Sequence, residues 1–137
     1  MYKHITETWQ KIWKEKYGNI KERAIQWRKE PTLVRVETPT RIDRARRLGF
    51  KSNKGMVTVR IRLSRGGMRR LRPKSGRRSK HLGVTRIKGH INPYDVAKRR
   101  VVEKYPNLNV KGSYLLYQDG RYSWYEVILS PQIESKL

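Results

Sequence analysis

The sequence predicts an α+β domain in which helices pack on a small antiparallel sheet of three to four strands, with a long basic loop in addition. Three patterns lead to this fold class. Apolar residues recur at helical spacing near the N-terminus and after residue 92, they alternate with a period of two at 57–63, and they flank an Asp-Gly pair near the C-terminus. A length of 137 residues with 36% apolar content suits a single domain over residues 1–137.

Residues 1–30 form the predicted helical N-terminal segment. A first helix over 4–17 is indicated by apolar side chains on one side, followed by Gly18 as a stop: Ile5, Trp9, Ile12 and Trp13. Asn19 and Glu22 have the spacing of a capping box for a second helix, which ends near Lys29 ahead of a proline. The inward side chains of this second helix are Ile20, Ala24 and Trp27.

A short extended segment and a short basic helix follow. Residues 33–37 are branched, apolar and bounded by prolines, which favours an extended conformation. Thr40 and Asp43 again have capping-box spacing, and they open a basic helix over 41–48 with Gly49 as its C-terminal cap.

The clearest strand is predicted at 57–63, where aliphatic residues alternate with polar ones and place Arg60 and Arg62 on the opposite face. Residues 65–91 show neither the helical nor the strand period. They are rich in Arg, Lys and Gly, and we expect a mobile loop that orders against a partner.

The last predicted unit, residues 92–129, is a helix followed by a hairpin. Asn92 is an N-cap candidate ahead of a proline, and the helix runs over 93–105. Its buried side is predicted to consist of Val96, Ala97, Val101 and Tyr105. Strands at 114–117 and 122–129 flank an Asp-Gly pair that favours a tight turn.

Positive charge is concentrated in one segment, residues 41–90, which we call the basic belt. The belt holds 18 Lys and Arg against one acid, Asp43, a net charge of +17; the residues before it carry +4 and those after it +2. Like charges crowded together oppose a compact state and need a polyanion to neutralise them. A nucleic-acid partner is therefore expected.

Arginine outnumbers lysine in the belt by 13 to 5, which favours forked contacts to phosphate oxygens. Contacts to roughly 8 to 10 phosphates would give a slope of about −6 to −9 for log affinity against log salt. The predicted RNA-binding residues are Arg41, Arg44, Arg46, Arg47, Lys51, Lys54, Arg60, Arg62, Arg65, Arg69, Arg70, Arg72, Lys74, Arg77, Arg78, Lys80, Arg86 and Lys88. The glycines of Arg65-Gly66-Gly67 permit close backbone approach to a phosphate, or mark the exit from the preceding strand.

The aromatic side chains could either pack in the core or stack on a base. Trp9, Trp13 and Trp27 lie at helical spacing and are expected in the core. Phe50 is a candidate either for stacking on a base or for anchoring the core. Tyr122, Trp124 and Tyr125 cannot all face one side of a strand, so we expect one or two of them to be exposed.

The sequence offers little material for catalysis. The belt contains a single carboxylate, and His4, His81 and His90 lack neighbouring acids or cysteines, so we expect no active site, no metal and no cofactor. The absence of cysteine excludes disulfides and thiolate zinc sites. Without an apolar run near the N-terminus, we expect a soluble, unexported, cytoplasmic protein.

Several strings together resemble one known family. They are Tyr2-Lys3-His4-Ile5 with Trp9, Arg41 with Asp43 through Lys51, Val59 through Arg62, Arg65-Gly66-Gly67, Arg72-Pro73-Lys74, Gly76 through Lys80, Gly83-Val84, and Tyr125 through Leu129. This set resembles the e-type large-subunit ribosomal protein fifteen of archaea and eukaryotes, which is distinct from the bacterial protein of that number. The likeness covers nearly the whole chain and is most specific at 44–67.

The resemblance implies a structural constituent of the large ribosomal subunit, with an α+β core and extensions among ribosomal RNA helices. By matching string, it implies RNA contacts at Arg44, Arg46, Arg47, Lys51, Arg65, Arg69, Arg72, Lys74, Arg77, Arg78 and Lys80. The family pattern continues past the final strand into a basic tail, whereas this sequence ends at Leu137.

The expected partners are large-subunit ribosomal RNA and neighbouring ribosomal proteins, with no membrane and a monomeric state when the protein is free. Two other classes stay open. The charge alone would equally suit an architectural DNA-binding protein. An RNA-modifying or RNA-cleaving enzyme would have to rely on Asp43, His81 or His90.

Overall fold

The computed structural model describes residues 2–15, 19–67, 70–84 and 91–132. Within these residues the fold is α+β, with one antiparallel four-stranded sheet in the order β1-β2-β4-β3. The helices are α1 Tyr2–Glu15, α2 Asn19–Lys29, α3 Ile42–Arg47 and α4 Pro93–Lys104. The strands are β1 Leu33–Val36, β2 Val57–Ser64, β3 Leu108–Gln118 and β4 Tyr122–Pro131. Short 3-10 helices lie at Ser52–Lys54 and Ser79–His81.

Helix α4 covers one face of the sheet and forms the larger core with it. Ala97 and Val101 are fully buried against the aliphatic side of β2, and Val96 and Tyr105 pack at the margin, as the sequence predicts. The start of the helix also agrees, because the Asn92 side chain accepts a hydrogen bond from the backbone N–H of Tyr94 at 3.2 Å. Local sequence signals were therefore sufficient to predict the start of α4 and its buried side.

Helices α2 and α3 cover the opposite face. From α2, Ala24 and Trp27 pack on Leu116 and Trp124. From α3, Ala45 is fully buried in a second cluster with two sheet residues, Tyr114 and Ile128. A buried Trp removes roughly 150–250 Å² from water, so the Trp27–Trp124 pair is a major contribution to holding α2 in place. The sheet is thus enclosed between two helical layers.

Because helices cover both faces of the sheet, the surroundings of the last strand differ from those predicted. Trp124 and Tyr125 point to opposite faces, yet both are buried, because helices lie on both sides of β4. The expectation that one or two of Tyr122, Trp124 and Tyr125 are exposed is therefore wrong for these two, and Tyr122 is half-buried. The hairpin itself is confirmed, but β3 begins at Leu108 rather than at 114. The first half of β3 was not predicted as a strand because residues 109–113 include polar residues and a glycine.

The basic helix α3 begins differently from the prediction and ends as predicted. The capping box of Thr40 and Asp43 does not form, because the Thr40 N–H is bonded instead to the carboxylate of Glu126. At the other end, Gly49 has φ +84°, and the N–H groups of Gly49 and Phe50 donate to the carbonyls of Arg46 and Ala45 at 2.9 and 3.0 Å. This is the Schellman arrangement, which requires a left-handed residue after the helix.

The β3–β4 turn is closed by a side chain. The Asp119 carboxylate accepts from the backbone N–H groups of Arg121, at 2.7 Å, and Tyr122, at 2.5 Å. Gly120 does not adopt a left-handed conformation, so the turn differs from the one that an Asp-Gly pair favours. The aspartate, rather than the glycine, is the residue that this turn needs.

Several expectations concern residues outside the described ranges. These are Gly18, the side chains of Trp13 and Asn19, and the predicted RNA ligands Arg69, Arg86 and Lys88, with His90. In the segment predicted as a loop, the described residues 65–67, 70–84 and 91 contain the single short helix Ser79–His81. Mobility of residues 65–91 stays a prediction.

Gly49→Ala should lower the free energy of unfolding by about 1 kcal/mol, because a side chain at φ +84° is strained although no atom lies within 4 Å of the added carbon. Gly120→Ala is the matched control, since it also meets nothing within 4 Å and has no left-handed φ. We expect that change to stay within about 0.5 kcal/mol. Urea unfolding measures both, and equal destabilisation by the two variants would contradict the assignment.

Candidate nucleic-acid interface

The single acid of the basic belt does not reach the protein surface. Asp43 is 2% exposed, and its carboxylate is paired with Arg41, whose Nη2 lies 3.3 Å from Oδ2. The Arg41 guanidinium also lies over the Trp9 ring, 5.4 Å from its centroid. No further Asp or Glu occurs in the sequence before Asp95. The exposed surface that the belt contributes is therefore of one sign.

Two belt arginines on β2 are engaged inside the protein. Arg60 is 9% exposed, forms an ion pair with Glu30 at 2.5 Å and lies 4.7 Å from the centroid of the Trp27 ring. Arg62 donates to the Arg28 carbonyl at 2.5 Å and lies over the Tyr122 ring. Both sit on the face that α2 covers, which the alternation of apolar and polar residues could not reveal. The predicted RNA contacts of Arg60 and Arg62 stay predictions.

Asp119 joins the hairpin turn to α2 and to the start of the 65–91 segment. Its Oδ2 accepts from Nε and Nη2 of Arg28, both at 2.8 Å, and its carbonyl accepts from Arg65 at 2.6 Å. Burial by itself raises the pKa of the Asp119 carboxyl, but hydrogen bonds from the N–H groups of Tyr122 and Arg121 and from Arg28 outweigh it and hold that pKa below its usual value.

Glu126 ties α3 to the sheet. This residue of β4 is fully buried, and its carboxylate accepts from the Thr40 N–H at 3.1 and 3.2 Å and from the Tyr114 hydroxyl. Burial and the nearby carboxylate raise the pKa of Tyr114 far above its usual value, so this hydroxyl stays a donor. Sequence patterns did not predict this role of Glu126. The available signal was an acid within the apolar run Trp124 to Leu129.

The exposed cations in the described part of the belt fall into two groups. The first group lies on α3 and the adjoining 3-10 helix: Arg44, Arg46, Arg47, Lys51 and Lys54. The second group lies in the segment after β2: Arg65, Arg70, Arg72, Lys74, Arg77, Arg78 and Lys80. The first group is built on the core, because α3 is fixed beneath by Ala45 and at its entry by Glu126. This first group therefore presents its cations at fixed positions.

Other kinds of site find little support in the part of the chain that the structure describes. No group of three or more His, Cys, Asp or Glu residues there could hold a metal ion. None of the described helices is long and apolar enough to cross a membrane. His4 faces Glu7 across one turn of α1, and His81 is exposed in a 3-10 helix. Neither histidine is arranged with the belt's one carboxylate.

Comparison with known families agrees with the geometry. The sequence profile of the family described as Ribosomal L15 matches residues 1–135. The chain belongs to this family. The Ribosomal L15 match includes both exposed cation groups, the sheet and all four helices, and it confirms the resemblance to the e-type large-subunit protein of archaea and eukaryotes. Membership of the Ribosomal L15 family makes the chain a ribosomal protein of the large subunit, a structural class within a ribonucleoprotein that carries out translation.

Asp119→Asn should lower the free energy of unfolding at neutral pH and make that free energy less sensitive to acid. A carboxyl whose pKa lies below its ordinary value of 3.8 in the folded state contributes stability above that value, and the contribution is lost as pH falls through the folded pKa. The difference in urea midpoint between wild type and variant should therefore be largest at pH 6–7 and shrink below about pH 3.

Asp95→Asn serves as the control for this titration. Asp95 makes an exposed pair with Lys98 at 3.0 Å across one helical turn, and such a pair contributes about 0–1 kcal/mol at most. Its effect on the urea midpoint should be small at every pH. A difference for Asp119→Asn that stays constant from pH 7 to pH 2 would contradict the role given to the carboxylate.

Proposed function

We propose that this member of the Ribosomal L15 family binds ribosomal RNA through the exposed cations of its belt and stabilises the packing of RNA helices in the large subunit. One observation carries the proposal. The belt's only acid is buried and paired, so its described surface presents Arg and Lys without an opposing charge. A surface of one sign is suited to a polyanion and opposes compaction without one.

The two cation groups have different functions in this proposal. The group on α3 and the 3-10 helix is held by the core and acts as a rigid contact edge. The group between Arg65 and Lys80 follows a segment with little regular structure, which suits threading between RNA helices. Arginine forks bind phosphate oxygens in pairs, and the deep major groove of A-form RNA is poorly accessible to side chains. Recognition is accordingly of shape and backbone.

The proposal places the protein in cytoplasmic ribosomes as a single 1–137 domain without catalytic activity, in contact with neighbouring ribosomal proteins and monomeric when free. Two alternatives are ordered behind it. An architectural DNA-binding protein shares the charge but not the family. An RNA-modifying or RNA-cleaving enzyme would need a carboxylate or a histidine beside the belt, and the belt's one carboxylate, Asp43, is buried and paired with Arg41.

Arg60→Gln and Arg78→Gln each remove one belt charge and should have opposite effects. Arg60→Gln breaks a buried ion pair and a ring contact, so it should lower the free energy of unfolding by about 1–3 kcal/mol with little change in the salt slope of RNA binding. Arg78→Gln should leave stability within about 0.5 kcal/mol and reduce that slope by about 1. Urea unfolding and filter binding against KCl measure both quantities, and the reverse pattern would assign Arg60 to the interface.

Binding to large-subunit RNA should be strong at low salt and fall with a log–log slope of about −6 to −9. Unlabelled duplex DNA at equal phosphate concentration should compete at least about tenfold more weakly than unlabelled ribosomal RNA, because the belt is proposed to recognise the shape of folded RNA. Equal competition by DNA would support the architectural alternative. Absence of RNA binding at physiological salt would reject the proposal.

A further inference from the structure

A groove of about 650 Å³ lies beside the end of α3. One side is formed by Phe50 and the following 3-10 helix, and Tyr2 of α1 lines it as well. Arg46 connects the two sides, since it donates to the Tyr2 hydroxyl at 2.9 Å and lies over the Tyr2 ring. The groove is large enough for a ligand of nucleotide size.

The lining combines apolar surface with positive charge. Tyr2 and Ile42 are 52% and 42% exposed, and they are among the few large apolar side chains that stay at the surface. Phe50 is half-buried and packs on the cluster around Ala45. Arg46, Lys51 and Lys54 also line the groove, and none of the described lining residues is acidic. A lining that combines aromatic and apolar side chains with several cations fits a base joined to a phosphate.

A polar group is available for the edge of a base. The Ser52 hydroxyl donates to Oδ1 of Asn53 at 2.9 Å, so the Asn53 amide has its oxygen occupied by an internal donor. Within the described residues its NH₂ group has no partner, and both of its N–H bonds are available to acceptors on a ligand. Asn53 lines the groove together with Lys51, Lys54 and Phe50.

The Phe50 side of the groove is preformed. The Schellman bonds of Gly49 and Phe50 fix the backbone at the end of α3, and the Lys51 N–H lies 3.2 Å from the Met56 sulfur. Gly55, with φ +61°, turns the chain back toward β2 after the 3-10 helix. These backbone contacts hold the Phe50 side of the groove in place.

We infer that this groove captures one unstacked nucleotide of RNA, from a bulge or a loop, with its base against Phe50 and Tyr2 and its phosphate beside Lys51 and Lys54. The inference rests on the proposed RNA binding and adds to it a specific site for a base. Recognition of splayed bases by aromatic side chains is worth about tenfold or more in affinity per base. The rest of the belt supplies contacts that do not depend on an unpaired base.

The test compares two RNA hairpins that each carry one 2-aminopurine in the stem. The 2-aminopurine is unpaired, in a bulge, in one hairpin and base-paired in the other. Full-length wild-type protein should bind the bulged hairpin about tenfold more tightly than the paired one, and 2-aminopurine fluorescence should change on binding. In Phe50→Leu, which keeps apolar volume against the core, the affinity ratio should fall below about two. Tyr2→Ala should also reduce it, and this exposed side chain can be removed without disturbing the buried clusters.

Lys74→Gln is the matched control. It removes an exposed cation outside the groove, so it should weaken binding of both hairpins by the same factor and leave the ratio near ten. An affinity ratio near one for the wild type, or a ratio that survives both groove variants, would overturn the inference while leaving the proposed function intact. If neither hairpin binds, the inference and the proposed function fail together.

A protein ligand is the competing occupant, and the same variants detect it. A peptide rich in Glu and Phe carries the same two features, negative charge and aromatic surface. If such a peptide bound more tightly than the bulged hairpin, and if Phe50→Leu and Tyr2→Ala abolished that binding, the groove would be a protein-binding site. That result would overturn the assignment to a nucleotide.

Discussion

Helices cover both faces of the sheet, and this constraint determines where charged side chains can lie. Every residue of β4 from Ser123 to Ser130 is buried, including Glu126. A buried carboxylate has to be satisfied, and it is satisfied by the N–H that leads into α3 and by the hydroxyl of Tyr114. The basic helix is consequently fastened at a fixed place on the sheet. Without that tie, the helix, which carries Arg44, Arg46 and Arg47, would be held mainly by the cluster around Ala45.

The same constraint divides the arginines of the belt into two kinds. Arg41 and Arg60 lie beneath helices and are paired with carboxylates and aromatic rings, so they hold elements together. The exposed cations of α3 and of the segment after β2 have few internal partners. A charge count from the sequence treats both kinds alike. The number of exposed cations is therefore smaller than the 18 Lys and Arg of the belt.

The sequence predicted most of the regular elements, because those elements have a local signal, which the first half of β3 lacks. The period of two at β2, the Asn92 cap and the glycine after α3 are examples. Predictions failed where the deciding partner is distant in the chain. Thr40 does not pair with Asp43, because Glu126, 86 positions away, takes its N–H. The one-sign surface of the candidate site was predictable from composition, whereas the burial of Arg60 depended on which helix covers its face.

The strand order has a consequence for how the protein reaches its fold. The central strands β2 and β4 are neighbours in the sheet, but residues 65–121 lie between them in the chain. That interval holds 16 Lys and Arg against 3 acids, a net charge of +13. Closing it into a loop requires work against electrostatic repulsion as well as the loss of chain entropy. A polyanion that neutralised the interval would reduce this work, and pairing of the central strands would then be coupled to charge neutralisation.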